Sequence, residues 1–136
     1  MDRFKVVLVA TLLHLEFLLC HITAVSKANS TSMTMNDDQN AALKVHNDAR
    51  GSKGLRPLSW DQGLANSAQD WADHLAEIGQ MVHSGADGVG ENLFGVSPPQ
   101  ADILRRGAQD WIEESVNYHG EKIGEGDLNS FGHYSG

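Results

Sequence analysis

"LSWDQGLANSAQDWA" occupies residues 58–72, and its reading decides the fold. Asp61 makes a good N-cap, because a carboxylate there can accept from the free amides of a first helical turn. Behind it, Leu64, Ala68, Trp71, Ala72 and Leu75 fall at i, i+4, i+7, i+8 and i+11. That spacing is one apolar face of an α-helix. Gly79 ends the helix. A face of this width has to be buried against another layer, so the segment implies a packed, layered domain.

The flanking segments repeat the pattern. Upstream, Asn36 or Asp37 caps a helix to about Arg50, with Ala42, Val45, His46 and Ala49 at helical spacing. Residues 51–54 end it, and residues 55–60, with Pro57, read as an extended connector. Downstream, Ser97-Pro98-Pro99 announces a third helix. It carries Leu104, Ala108, Trp111 and Ile112 and is expected to end near Tyr118. Between the second and third helices lies "VHSGADGVGENLFG", residues 82–95. Its glycines permit a turn, and residues 91–94 suit a short strand. After His119 come loop residues, and residues 131–134 read as the start of another strand. Little strand is left to cover three amphipathic helices, so the domain reads as truncated at its C-terminus. No internal repeat is present.

The first 24 residues read as a signal peptide. Arg3 and Lys5 precede the apolar run 6–13, and small residues follow at Ala24, Ser26 and Ala28. His14 and Glu16 break the apolar stretch, which argues against a membrane span. The cut is expected after Ala24 or Ala28. Residues 25–35 form a flexible lead-in with an N-glycosylation sequon at Asn29, and residues 36–136 form the domain. Cys20, the single cysteine, lies in the leader, so disulfides and thiolate chemistry are excluded from the mature chain. Any metal site must use His and carboxylate. The net charge of −8 and the lone basic pair Arg105–Arg106 set nucleic acid aside. The sequence assigns no oligomeric state.

Familiar catalytic motifs are missing: no dinucleotide or phosphate loop, no HEXXH helix and no GxSxG elbow. Ser84 beside His83 reads as incidental, because adjacent residues rarely present side chains to each other. On the third helix, Trp111, Glu114 and Tyr118 at i, i+3 and i+7 share a face, while Glu113 turns away. Glu114 is then either paired on that face or exposed at its edge. Together with His83, Glu91 and His133 it could form a mixed imidazole and carboxylate site for Zn²⁺ or a similar ion. The same four could equally be a structural hydrogen-bonded cluster, and their spacings of 8, 23 and 19 residues match no local metal motif. His46 reads as a core histidine with a satisfied ring. His74 and His119 read as surface residues.

In order along the chain, "LKVHNDAR", "LSWDQGLANSAQDWA", "HS", "GENL", "WIEESVNY" and "GHYSG" resemble the CAP superfamily of cysteine-rich secretory, antigen 5 and pathogenesis-related proteins. The resemblance covers residues 38–136. It implies an α+β fold, a three-layer α-β-α sandwich, with a cleft holding His83, Glu91, Glu114 and His133. His46, Asn47, Arg50, Trp60, Trp71, Trp111 and Tyr118 carry over as structural motif residues. In the family the last motif continues as GHY-Thr-Gln into a buried strand. Ser135 and Gly136 stand there instead, so the sandwich is expected to be incomplete.

The resemblance further implies a secreted binding protein for a sterol or other small lipid, with no required cofactor. His83 and His133 are its candidate ligands for Zn²⁺ or another divalent metal, and contact with a membrane surface fits a lipid ligand. The rival is a hydrolase, in particular a protease, with water activated by metal or Glu. A third reading is an interaction scaffold in which the tetrad is structural.

Overall fold

A computed structural model describes residues 5–9, 34–122 and 125–135. The element order is β1 (Lys5–Val9), α1 (Asp37–Ser52), α2 (Gln62–Ile78), β2 (Asn92–Val96), α3 (Ile103–Glu113), a 3₁₀ turn (Glu114–Asn117) and α4 (Leu128–Ser135). The two strands pair antiparallel, from Lys5 opposite Val96 to Val9 opposite Asn92. β1 falls inside the segment read as a leader, since a run of valines suits a strand as well as an apolar h-region. The cut sites at Ala24 and Ala28, residues 25–33 and the Asn29 sequon lie outside the described residues.

The first two helices begin where their caps predict. Asn36 accepts from the Gln39 amide at 2.9 Å, and the Gln39 side chain accepts from the Asn36 amide at 2.8 Å, a reciprocal capping box. Asp61 accepts from the Leu64 amide at 2.9 Å. α2 ends at Gly79, whose φ of 64° is a left-handed conformation that glycine tolerates.

β2 lies between two helices. Leu93, like Trp71, packs against the buried pair Ala72 and Leu75 of α2. The next residue, Phe94, meets α3 at Gly107, where an added Cβ would sit 3.1 Å from the Phe94 ring. Successive strand residues point to opposite faces, so this pair sets one helix on each side of the strand. Phe94 also meets Trp111 edge-on, with centroids 6.5 Å apart. α1 packs on α3. Leu75, Ala108, Trp111 and Phe131 are buried. The connector after α1 is fixed by Asn47, which exchanges two hydrogen bonds with the Leu58 backbone, and by Arg50, which donates to the Arg56 carbonyl at 2.8 Å.

Three expectations change. The third helix does not stay α-helical to Tyr118: it ends at Glu113, tightens into the 3₁₀ turn, and leaves Tyr118 extended. Glu114 pairs with His133, whose ring stacks on Trp111, while Tyr118 packs on Phe131 and Tyr134 at 5.5 and 5.6 Å. Residues 131–134 are helical, within α4. Asp127 starts that helix by accepting from the Asn129 amide and the Ser130 hydroxyl, as an N-cap does. His46 is not a satisfied core histidine, because its Nε2 is buried without a partner among the described residues.

Candidate functional site

His83 and Glu91 flank the glycine-rich turn and meet across it. The His83 Nδ1 lies 2.6 Å from Glu91 Oε1. Ser84 completes the arrangement: its amide donates to both Glu91 oxygens at 2.9 and 3.2 Å, and its hydroxyl donates to Oε2. Ser84 is therefore not incidental. It and His83 do not face each other; both face the same carboxylate. Gly85 and Gly88 take φ of 70° and 76° in the intervening turn, conformations that let the chain reverse so tightly. Trp71 anchors the segment by donating from Nε1 to the Val82 carbonyl at 3.0 Å.

The second pair is built on different elements. Glu114 opens the 3₁₀ turn and His133 lies in the last turn of α4. The His133 Nδ1 is 2.6 Å from Glu114 Oε1, and the His133 amide donates to Oε2 at 3.0 Å. The Tyr134 amide adds a longer bond at 3.3 Å. The His133 ring stacks on Trp111 at 6.1 Å, and His46 flanks the same indole at 6.3 Å. Glu113 is exposed and Glu114 is not.

An ionised carboxylate only accepts hydrogen bonds, so Nδ1 carries the hydrogen in both pairs. In a neutral ring this leaves Nε2 with its lone pair free. The Glu91 side chain is 9% exposed and that of His83 63% exposed. Burial pushes the Glu91 pKa up, but the Ser84 hydroxyl and amide and then His83 outweigh it and hold the carboxyl below its ordinary value. His46 titrates low, first because burial disfavours its charged form and second because Arg50 repels it.

Asn92 joins the two pairs. It directly follows Glu91, and its side chain donates to the His133 carbonyl at 2.8 Å. Neither Asn92 nor Ser84 stands out in the sequence; the only signal for Asn92 is its place in "GENL". Among the described residues, no three or more His, Cys, Asp or Glu side chains gather in a way that could hold a metal ion. What the two pairs offer is two imidazole rings, each oriented by its own carboxylate.

A cavity of about 590 Å³ lies elsewhere, between the start of α1, one face of α2 and the start of α3. Its wall includes Trp60, Ala65, Ala68, Ala72, Ile103 and Leu104, and its rim carries Asp37 and Asp73. None of the four tetrad residues lines it. That cavity and the polar site are therefore separate.

Residues 43–135 match the model of the CAP family, described as the cysteine-rich secretory protein family. Pathogenesis-related leaf protein 6 of Solanum lycopersicum is 42% identical over 78 residues, covering 57% of this chain and 45% of that protein. Pathogenesis-related protein 1 of Arabidopsis thaliana is 35% identical over 77 residues, covering 57% and 46%. Pathogenesis-related protein 1A of Nicotiana tabacum is 31% identical over 105 residues, covering 76% and 60%. The chain spans about half the length of the curated relatives it matches. No solved structure matches it significantly. Among the described residues, no helix is long and apolar enough to cross a membrane.

Proposed function

The chain belongs to the CAP, or cysteine-rich secretory protein, family, and from that premise we propose that it is a secreted binding protein for a sterol or other small lipid. In this reading its two histidine–carboxylate pairs share one cleft and take a divalent cation such as Zn²⁺. The observation that carries the cation is the hydrogen bond that each ring makes separately to its own carboxylate. Each Nδ1 is held at 2.6 Å by a carboxylate, which leaves Nε2 as the ligand atom. Carboxylate–histidine pairing of this kind orients metal-binding imidazoles and raises their basicity. When bound, the ion would be held by His83 and His133 and would link the 82–95 segment to α4.

Binding is favoured over hydrolysis by the state of Glu91. A general base works best with a pKa near the operating pH. Glu91 is held in the opposite direction, and its oxygens accept from Ser84 and His83. The lipid assignment is supported by the cavity of about 590 Å³, a volume in the range of small-molecule sites. Exposed Ile78, Met81 and Val82, next to His83, would supply the membrane-surface contact. The three-layer sandwich is supported by β2 lying between α2 and α3.

A radiolabelled sterol tests the lipid reading. Saturable binding by the full chain is expected, with a loss in Ala65→Trp, which fills the cavity from a half-buried position. No saturable binding, or equal binding by the variant, contradicts the assignment.

A further inference from the structure

We infer that the cavity between α1, α2 and α3 selects a lipid whose head is a protonated amine. This rests on the lipid reading above and deepens it by assigning the charge of the ligand's head.

The cavity exists because one side of α2 is built from alanine. Ala65, Ala68, Ala72 and Ala76 recur at spacings of three, four and four residues, which sets them along one side of the helix, and all four line the cavity. Ala68 and Ala72 are buried, and so is Ile103 at the start of α3. A methyl group is too short to close the gap between the helices, so a volume of about 590 Å³ stays open. Trp60 adds an aromatic surface to the wall. These walls suit the apolar body of a small lipid.

The charge of the wall is one-sided. Asp37, Asp38 and Asp73 line the cavity, and no lysine, arginine or histidine does. Arg105 follows Leu104 of the wall, but its guanidinium is engaged by Asp102 and Gln109. The starts of α1 and α3 oppose the carboxylates, since each helix N-terminus carries roughly half a positive charge. Three carboxylates outweigh two such ends by about two charges. The helix ends are also already met. Asn36 caps α1, and both Asp38 oxygens accept from the Leu104 and Arg105 amides of α3.

Asp38 is thus taken up by α3, which leaves Asp37 and Asp73. Both are exposed at the rim. Asp73 accepts from Gln69 at 2.8 Å, and a carboxylate with one such partner keeps further acceptor sites. A protonated amine brings three donors and no acceptor, and so matches this rim. A carboxylate or sulfate head meets like charge there. A hydroxyl head is tolerated without being preferred. Selection is by charge, because the apolar body is common to all of these ligands.

Three sterols with one ring system and different heads at the same carbon separate the possibilities: a 3-hydroxy sterol, its 3-amino analogue and its 3-sulfate. Each is radiolabelled and titrated against the full chain at pH 7.5 and low salt. The amine is expected to bind about 5–10-fold more tightly than the alcohol, the size of two exposed ion pairs, and the sulfate more weakly than the alcohol. In Asp37→Asn/Asp73→Asn the amine-to-alcohol ratio is expected to fall close to one, with thermal melting as a check on folding. If the double variant unfolds, each single variant is measured, and a partial fall is expected. Asp110→Asn removes an exposed carboxylate outside the cavity wall and is expected to keep the ratio. Equal binding of amine and alcohol by the native chain overturns the inference and leaves the lipid reading standing. So does a preference that the folded rim variants retain, or one that Asp110→Asn loses to the same extent. Saturable binding of none of the three overturns the lipid reading, and the inference with it.

Discussion

Ser84 holds Glu91 through two groups at once, its backbone amide and its hydroxyl. The carboxylate is thereby kept ionised and fixed, and His83 is oriented by what remains of it. Glu91 therefore behaves as an anchor for His83 and Ser84.

Ser84→Ala should lower stability by about 1–3 kcal/mol at pH 7, because a hydrogen bond to a charged group is lost. The folded pKa of Glu91 lies below its ordinary value of 4.5. Its contribution is thus complete above that value and is lost as pH falls through the lower, folded one. Urea denaturation at pH 7 and pH 3 should show the variant's deficit shrinking on acidification. A deficit of the same size at both pH values contradicts the assignment.

His46 predicts the opposite kind of substitution. Its Nε2 is buried without a partner among the described residues, and an unsatisfied buried polar group costs about 1–3 kcal/mol. His46→Phe keeps an aromatic ring beside Trp111 and removes that group, so it should be at least as stable as the native chain at pH 7.5. The folded pKa of His46 lies below 6.5, so only the unfolded chain gains this proton as pH first drops under 6.5. Native stability should then decline from pH 6.5 downward until the folded pKa is reached. Melting at pH 7.5 and 5.5 should show a smaller decline in His46→Phe. Equal declines would rule out His46 as the source.

Asp38 carries a load that its position on α1 does not announce. Its two carboxylate oxygens accept from the Leu104 and Arg105 amides at 2.9 and 3.0 Å, capping α3 from a neighbouring helix. The local cap residue, Asp102, makes no such bond, because its carboxylate pairs with the Arg105 side chain. Asp38→Ala should cost about 1–2 kcal/mol, and amide exchange at Leu104 and Arg105 should speed up before that in the centre of α3. Unchanged exchange at those two amides contradicts the cap.

How much was legible from the sequence follows from where each signal is stored. Helices α1 and α2 were readable because their caps and apolar spacing lie within each segment: Asn36, Asp61 and Gly79 all act locally. The cap of α3 was not, since it comes from a residue 66 positions away. The tetrad residues could be named by motif, and Glu114 could be separated from Glu113 by helical spacing. Their pairing into His83–Glu91 and His133–Glu114 could not be read, because hydrogen bonds between elements leave no periodic trace. Residues 131–134 misled for a related reason. Their Phe, His and Tyr fit a strand as well as a helix, and Asp127, just upstream, starts the helix through bonds that only the folded turn displays.

The most direct test of the central claim is calorimetric titration of Zn²⁺ into the full chain and into His133→Ala at pH 7.5, with the native chain repeated at pH 5. Protonated imidazole cannot ligate, and its ordinary pKa is about 6.5. One ion per native chain is expected at pH 7.5, with much weaker binding at pH 5 and loss of the site in His133→Ala. Binding that is absent from the native chain at pH 7.5, or that persists unchanged at pH 5 or without the His133 ring, would contradict that claim.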